Sequence, residues 1–357
     1  MFRPKFYITI TKDDGTFIEF PFCTEFETQE GFEFLTNTAK VTLPRKLTQN
    51  GLPLFTGPDP IFKRKDKIKI EAGYFPNRET VFTGFISHVS ANVPVKLECE
   101  DYMFIFKQYK VTYPKQVAVR TFSKKGKPLK YPKITSKNIK LSELIQNIFH
   151  EGEYHDLLNG ITYAVDSNSD IELGEVSFSN ASPAEIFDKL KDTCGITCKM
   201  VGTVLRVGLA YNALDTKTGE FILEEVGINS NELEYQRAED VNIRVKVISI
   251  LQNNQRIEVE AGDSEGEQRT YHKNNITSKV DLQKVADGLV NKAKYTGFRG
   301  YFETFGEPYM RTGDAVKLVS KKLPERNGTY LIKSVRRIGG VEQGYKQNIE
   351  LGALIGR

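Results

Sequence analysis

Along the first hundred residues, apolar and polar side chains alternate with a period of two, the pattern of half-buried strands. Residues 5–10 alternate in this way. Lys12-Asp13-Asp14-Gly15, an Asp-Gly hairpin signal, leads from them into a second run at 16–20. Residues 38–43 alternate and stop at Pro44, and the Pro- and Gly-rich stretch 49–60 reads as a loop. Three more strands are predicted at 67–72, 80–89 and 95–100, the last two separated by 92–94.

The period then changes. After a basic, Pro-containing stretch at 111–135 (Pro114, Pro128, Pro132), Leu141, Leu144, Ile145, Ile148 and Phe149 recur at helical spacing. A second helix is marked by its ends. Ser182 is placed as N-cap, Pro183 as first helical residue and Glu185 as the other half of a capping box, with Gly195 as terminator. Ile186, Phe187 and Leu190 form its apolar stripe, and a hairpin is predicted at 197–209 around Gly202.

From about residue 213 the two-residue period returns. Strands are predicted at 244–251 and 256–261, then a helix whose stripe is Leu282, Val285, Ala286, Leu289, Val290 and Ala293, with Asp281 near its positive end. The last fifty residues are short strand-like runs entered through Gly or Asn-Gly turns: 306–318, 327–338 and 347–352. The chain therefore divides into a β region at 1–110, a basic connector at 111–135, a small α+β region at 136–212 and a second β region with one amphipathic helix at 213–357.

The two β regions look like copies. Lys65-Asp66-Lys67-Ile68-Lys69-Ile70 matches Gly313-Asp314-Ala315-Val316-Lys317-Leu318 by residue type. Phe82 is aligned with Tyr330, and Lys96-Leu97-Glu98-Cys99 with Asn348-Ile349-Glu350-Leu351.

Composition adds little chemistry. The 357 residues exceed one ordinary core. With 23 Phe, 16 Tyr and no Trp, the aromatics suit strands and contact faces. Fifty Lys and Arg against 46 Asp and Glu leave a net charge of +4, too even for a dedicated nucleic-acid binder. The longest basic bias, from 124 to 140, reads as a solvated face. No leader-like segment is seen at the start, no apolar run approaches the ~20 residues of a membrane helix, and a reduced, cytoplasmic setting is expected for Cys23, Cys99, Cys194 and Cys198.

Gly262-Asp263-Ser264-Glu265-Gly266 fits the Gly-x-Ser-x-Gly hydrolase pattern, with His272 nearby, but polar residues follow where an elbow needs a helix. It reads as a solvated hairpin tip. Cys194 and Cys198 lack a second ligand pair, since His88, His150, His155 and His272 are remote in sequence. Glu98, Glu100 and Asp101 offer carboxylates, yet alternation puts Glu98 and Glu100 together on the face away from Leu97 and Cys99. No phosphate-binding glycine motif is present. No catalytic, metal or cofactor residue is assigned.

The order of these features resembles the phage tail baseplate hub proteins (late control protein D-like) over nearly the whole chain. The N-terminal resemblance lies in 38–44, 66–70, Phe82-Thr83-Gly84-Phe85-Ile86 and 97–102. The middle part lies in Ser182-Pro183-Ala184-Glu185-Ile186-Phe187. The C-terminal part lies in the helix from Asp281, Met310-Arg311-Thr312-Gly313-Asp314, Asn327-Gly328-Thr329-Tyr330, and Gly344-Tyr345 leading to Leu351-Gly352.

The resemblance implies a mainly β fold with an α+β insertion, in which two tube-type β-barrels flank the small α+β region. It implies a homotrimer in which three chains give six barrels, so that a three-fold object joins a six-fold tail tube to a spike. It further implies a virion-tail location after assembly in a bacterial host cytoplasm. The partners would be a tail tube protein, a spike protein and a tape-measure protein, with neither membrane nor sequence-specific nucleic acid. The alternatives are the hub of a contractile injection or secretion system and, remotely, a hydrolase using Ser264.

Overall fold

A computed structural model of the chain describes residues 4–49, 52–55, 61–90, 93–113, 139–150, 158–167, 170, 172–173, 176–209, 217–226, 232–250, 255–274 and 278–356. They form two compact units, Met1–Asp101 with Ala213–Arg357, and Tyr102–Asn212. The fold is mainly β, with small helical insertions.

The first unit opens with the predicted hairpin of β1 (Pro4–Thr11) and β2 (Phe17–Phe20), in which Ile10 lies opposite Ile18. Then come β3 (Glu25–Gly31), which the sequence reading missed, and β4 (Thr38–Leu43). The stretch read as a loop instead contributes β6 (Leu52–Phe55) to a hairpin with β5 (Lys46–Gln49), just before it, with Thr48 opposite Pro53. A two-stranded edge tolerates the missing proline donor, which is why the Pro-rich composition misled. The N-terminal part closes with β7 (Lys67–Tyr74), β8 (Glu79–Val89) and β9 (Val95–Glu100).

The second unit comprises α1 (Met103–Phe106), β10 (Val111–Tyr113), α2 (Leu141–Phe149), β11 (Thr162–Val165), β12 (Phe178–Ala181), α3 (Pro183–Cys194), β13 (Ile196–Val201) and β14 (Val204–Leu209). β10 pairs with β12, and β11 runs parallel to β14, which forms the predicted hairpin with β13. Helix α3 has the ends its sequence announces. The Ser182 hydroxyl accepts from Glu185 N, the Glu185 carboxylate accepts from Ser182 N, and Gly195 closes the helix at φ 71°. Phe106 joins Phe149 and Phe187 in the core, with ring centroids 5.5 and 5.4 Å apart. Residues 114–138, most of the basic connector, lie outside the described residues.

The chain returns to the first unit with β15 (Thr218–Ile222), β16 (Leu233–Gln236), β17 (Ile243–Ile250), β18 (Arg256–Gly262), β19 (Glu267–Asn274), α4 (Lys279–Ala293), β20 (Gly297–Phe305), β21 (Ala315–Val319), β22 (Gly328–Gly340) and β23 (Gly344–Gly356). β17, β18 and β19 form a sheet of their own, order β18-β17-β19. It packs on α4 through Val245, Val247, Val259, Leu282 and Ala286.

Apart from the separate β5–β6 hairpin, the remaining strands of this unit make one continuous sheet in the order β16-β20-β23-β22-β3-β4-β9-β8-β7-β1-β2, with β21 on the N-terminal part of β22 and β15 beside β21. This order contains the same five-strand connectivity twice. In chain order, strands β3, β4, β7, β8 and β9 lie as β3-β4-β9-β8-β7, and strands β16, β20, β21, β22 and β23 lie as β16-β20-β23-β22-β21. All neighbours within these sets are antiparallel. The copies differ outside them. β1 runs antiparallel to β7, whereas β15 runs parallel to β21. Each copy surrounds its own core: Ile8, Phe26, Val41, Ile70, Ile86 and Leu97 in one, Phe302, Val316, Tyr330, Ile332, Val335 and Ile349 in the other.

Candidate assembly site

The repeat extends to individual hydrogen bonds. At the entry to β7, Asp66 Oδ2 accepts from Lys63 N (2.8 Å) and Asp66 N donates to Lys63 O (3.2 Å). At the entry to β21, Asp314 Oδ2 accepts from Arg311 N (2.8 Å) and Asp314 N donates to Arg311 O (3.1 Å). The preceding residues, Lys65 (φ 81°) and Gly313 (φ 92°), are both left-handed. Both turns then clamp the next strand alike. Ile86 N donates to Asp66 O and Lys65 N to Ile86 O, while Ile332 N donates to Asp314 O and Gly313 N to Ile332 O.

Past the clamp, both copies carry an irregularity at one place, between Ile86 and His88 and between Ile332 and Ser334. Cys99 and Leu351 then face Ile86 and Ile332, and Leu97 and Ile349 face Val89 and Val335, as the sequence alignment of these segments expects. One aligned pair shifts. Val316 faces Tyr330, but Ile68 faces Gly84, so Gly84 and not Phe82 is the counterpart of Tyr330. The paired positions are thus two residues further apart along the chain in the N-terminal copy, whose β7–β8 register also slips by one residue between Ile70 and Glu71.

The copies meet where the distal half of β22 pairs with β3, from Ser334 opposite Gly31 to Gly340 opposite Glu25. This seam is dense with charge. Arg336 Nε and Nη2 each lie 2.9 Å from the Glu27 carboxylate, a two-pronged pair. Lys333 Nζ reaches both Glu33 (2.8 Å) and Glu350 (2.7 Å). Arg337 is fully buried. It donates to Glu30 Oε1 (2.9 Å) and to the Met310 carbonyl, and its guanidinium carbon lies 4.5 Å from the centre of the Tyr309 ring. Burial alone would lower its pKa, but Tyr309, Glu30 and Tyr345 reverse that and hold it above the ordinary guanidinium value.

The segment leading into β21 also crosses the seam. Tyr309 OH donates to Thr80 O, Glu307 accepts from Tyr74 N, and Glu30 accepts from Thr312 N. Tyr74 OH donates to Tyr345 O. Tyr309 and Tyr345, both from the C-terminal copy, are part of the N-terminal core. The arrangement holds the two copies in fixed register within the one sheet.

The hydrolase-like motif has another explanation. β18 and β19 do not pair with each other but flank β17, so Asp263–Gly266 is a crossover round the start of β17 and not a hairpin tip. Asp263 N donates to Ile243 O, Asp263 Oδ2 accepts from Ile243 N, and Glu267 N donates to Asn242 O. Lys294 lies 2.8 Å from Asp263 and holds its carboxyl below the usual range. A Cβ on Gly266 would meet the Ile243 backbone at 2.5 Å, and one on Gly262 (φ 94°) would meet Ile243 O at 2.2 Å. Close backbone approach therefore explains both glycines. Ser264 is exposed and a strand follows it, and His272 sits opposite Ile248 while the crossover sits at Ile243, roughly 17 Å along the sheet.

Cys23, Cys99 and Cys198 are buried, and burial pushes the Cys23 thiol up to about 12. Asp101 accepts from Asn37 N at 3.0 Å as an anchor, while Glu98 points away from the core. Among the described residues no group of three His, Cys, Asp or Glu is placed to hold a metal. His155 lies outside them.

No family model and no curated protein sequence matches the chain. Its fold, however, is shared with solved phage-tail and type VI secretion proteins. A tail protein from Neisseria meningitidis MC58 matches with a TM-score of 0.63 and 10% identity, over 97% of this chain and 96% of that one. The 43 kDa tail protein of prophage MuSo2 from Shewanella oneidensis matches with a TM-score of 0.61 and 14% identity, over 98% of both. The c3393 protein of E. coli, a type VI secretion system component with structural similarity to the T4 tail proteins gp27 and gp5, matches with a TM-score of 0.52 and 9% identity, over 93% of this chain and 73% of that one.

Proposed function

We propose that this chain is the structural hub of a phage or phage-like tail: a homotrimer that joins the tail tube to the spike and carries no catalysis of its own. The observation that carries the reading is the five-strand connectivity occurring twice in one sheet. A chain that offers two near-equivalent faces lets three copies present six, which reconciles a three-fold spike with a six-fold tube. The shared fold of tail proteins supports it, as does a charged, interlocked seam of the kind that fixes register between blocks.

In this reading the domain plan is a tube-type barrel over 1–110, a basic connector over 111–135, an α+β domain over 136–212 and a second barrel over 213–357. The partners are a tail tube protein, a spike and a tape-measure protein. The hub is a virion component assembled in the host cytoplasm.

Native mass measurement with negative-stain imaging of the purified protein tests this. A three-fold annulus is expected. A monomer at all micromolar concentrations, with and without a spike protein, overturns it. The hub of a contractile secretion system is the second reading, favoured by the type VI component that shares the fold. Purification of the native particle, with or without a phage head, separates the two.

A further inference from the structure

The internal seam supplies a template for a joint that the single chain leaves unmade. β3 is covered on its outer side by distal β22. Its counterpart β16 ends the sheet, and among the described residues only β20 pairs with it. The counterpart of distal β22 is the end of β8. There the β7 ladder stops at Phe85, the entry turn takes Ile86, and no strand among those described follows on that side of Ser87–Val89.

Burial agrees with an unmade contact. Val335 is fully buried at the seam, whereas Val89 is half-buried; Thr28 is buried, whereas its counterpart Leu233 is half-buried. Resting on the trimer reading above, we propose that the free edge of β16 adds to the end of β8 in a second copy of this chain. Repeated head to tail, this joint closes the ring.

The register follows from the pairings. Val41 faces Leu97 and Phe302 faces Ile349, so β4 and β20 superpose with Ala39 on Gly300. Ala39 faces Thr28 and Gly300 faces Leu233, which sets Glu30 on Tyr235 and Gly31 on Gln236. Glu30 faces Val335 and Gly31 faces Ser334, and these correspond to Val89 and His88. Tyr235 of one copy therefore lies opposite Val89 of the next, and Gln236 opposite His88. The joint is shorter than the seam because β8 ends at Val89 while β22 runs to Gly340. The contact between copies is thus the weaker of the two kinds.

Directly opposed residues of an antiparallel pair lie about 4.5–5.5 Å apart at Cα, within disulfide range. The full chain carrying Val89→Cys with Tyr235→Cys is oxidised mildly and run without reductant, beside the unmodified chain on native mass measurement. His88→Cys with Gln236→Cys is a second pair one register away. Gln29→Cys with Arg336→Cys, opposed across the seam, is the intramolecular control. Covalent three-chain rings that reductant returns to monomer, from either pair, are expected, while each single variant gives none. Non-covalent trimers with neither pair linking, although the control closes, overturn the joint and leave the trimer reading standing. Monomers throughout with no cross-link overturn both.

Discussion

The Arg337 guanidinium is fully buried, 2.9 Å from the Glu30 carboxylate on the strand opposite, and so places a charge pair between the two copies of the fold. Removing Glu30 leaves the Arg337 charge out of water, and removing Arg337 empties a fully buried site and takes a partner from the half-buried Glu30 carboxylate. Glu30→Ala and Arg337→Ala are each expected to destabilise by about 3–5 kcal/mol in urea unfolding. Glu30→Gln with Arg337→Met, which removes both charges at similar volume, is expected to cost well under the sum of the single changes. Additive losses would show that the pair is not coupled.

The paired turns make a second, two-site prediction. Asp66→Ala and Asp314→Ala each strand a backbone N–H, on Lys63 and Arg311, and should each cost about 1–3 kcal/mol. Asp66→Asn keeps the acceptor. Burial raises the Asp66 pKa above 3.8, so its ionised form is disfavoured in the fold. That contribution favours the folded state at acid pH and is lost as pH rises through the folded pKa. Asp66→Asn should therefore be neutral or slightly stabilising at pH 7 in chemical denaturation, and a loss as large as that of Asp66→Ala would refute the assignment.

The Gly-x-Ser-x-Gly run separates steric from chemical roles. Gly266→Ala forces a methyl against the Ile243 backbone and should unsettle the small sheet on α4, losing amide protection at Val245 and Val247 in hydrogen exchange. Ser264→Ala, at an exposed position, should change stability by less than about 0.5 kcal/mol. Lost ester or glycan turnover in Ser264→Ala would revive the hydrolase alternative.

Much of this architecture is legible in the sequence because local rules act locally. Ser182, Pro183, Glu185 and Gly195 fix the ends of α3 whatever it packs on. Asp66 and Asp314 look alike because the same turn needs the same acceptor. The seam was not legible. β3 reads Glu-Phe-Glu-Thr-Gln-Glu-Gly, and its inward residues Phe26 and Thr28 do alternate, but only Phe26 is large and apolar. Arg337 looks like a surface charge within Val-Arg-Arg-Ile until β3 lies beside it. The crossover at 263–266 depends on β17 passing between two strands that are neighbours in sequence, a long-range fact that local patterning does not encode.

The turn between β21 and β22 offers a test by acid. Glu224, just after β15, accepts from Ser320 Oγ (2.7 Å), Lys321 N (3.2 Å) and Lys322 N (3.1 Å), tying that turn to the strand where the two copies differ. The Ser320 hydroxyl first, and then the two backbone donors, pull its pKa from 4.5 down to about 2. A depressed carboxyl pKa contributes stability that is complete above the unfolded value and is lost as pH falls through the folded one. Wild-type stability should therefore decline more steeply than that of Glu224→Gln between pH 4.5 and about 2, with the two curves parallel above that window. Carboxyl NMR titration reads the group directly. A Glu224 midpoint near 4.5 would mean that the turn is not held this way in solution.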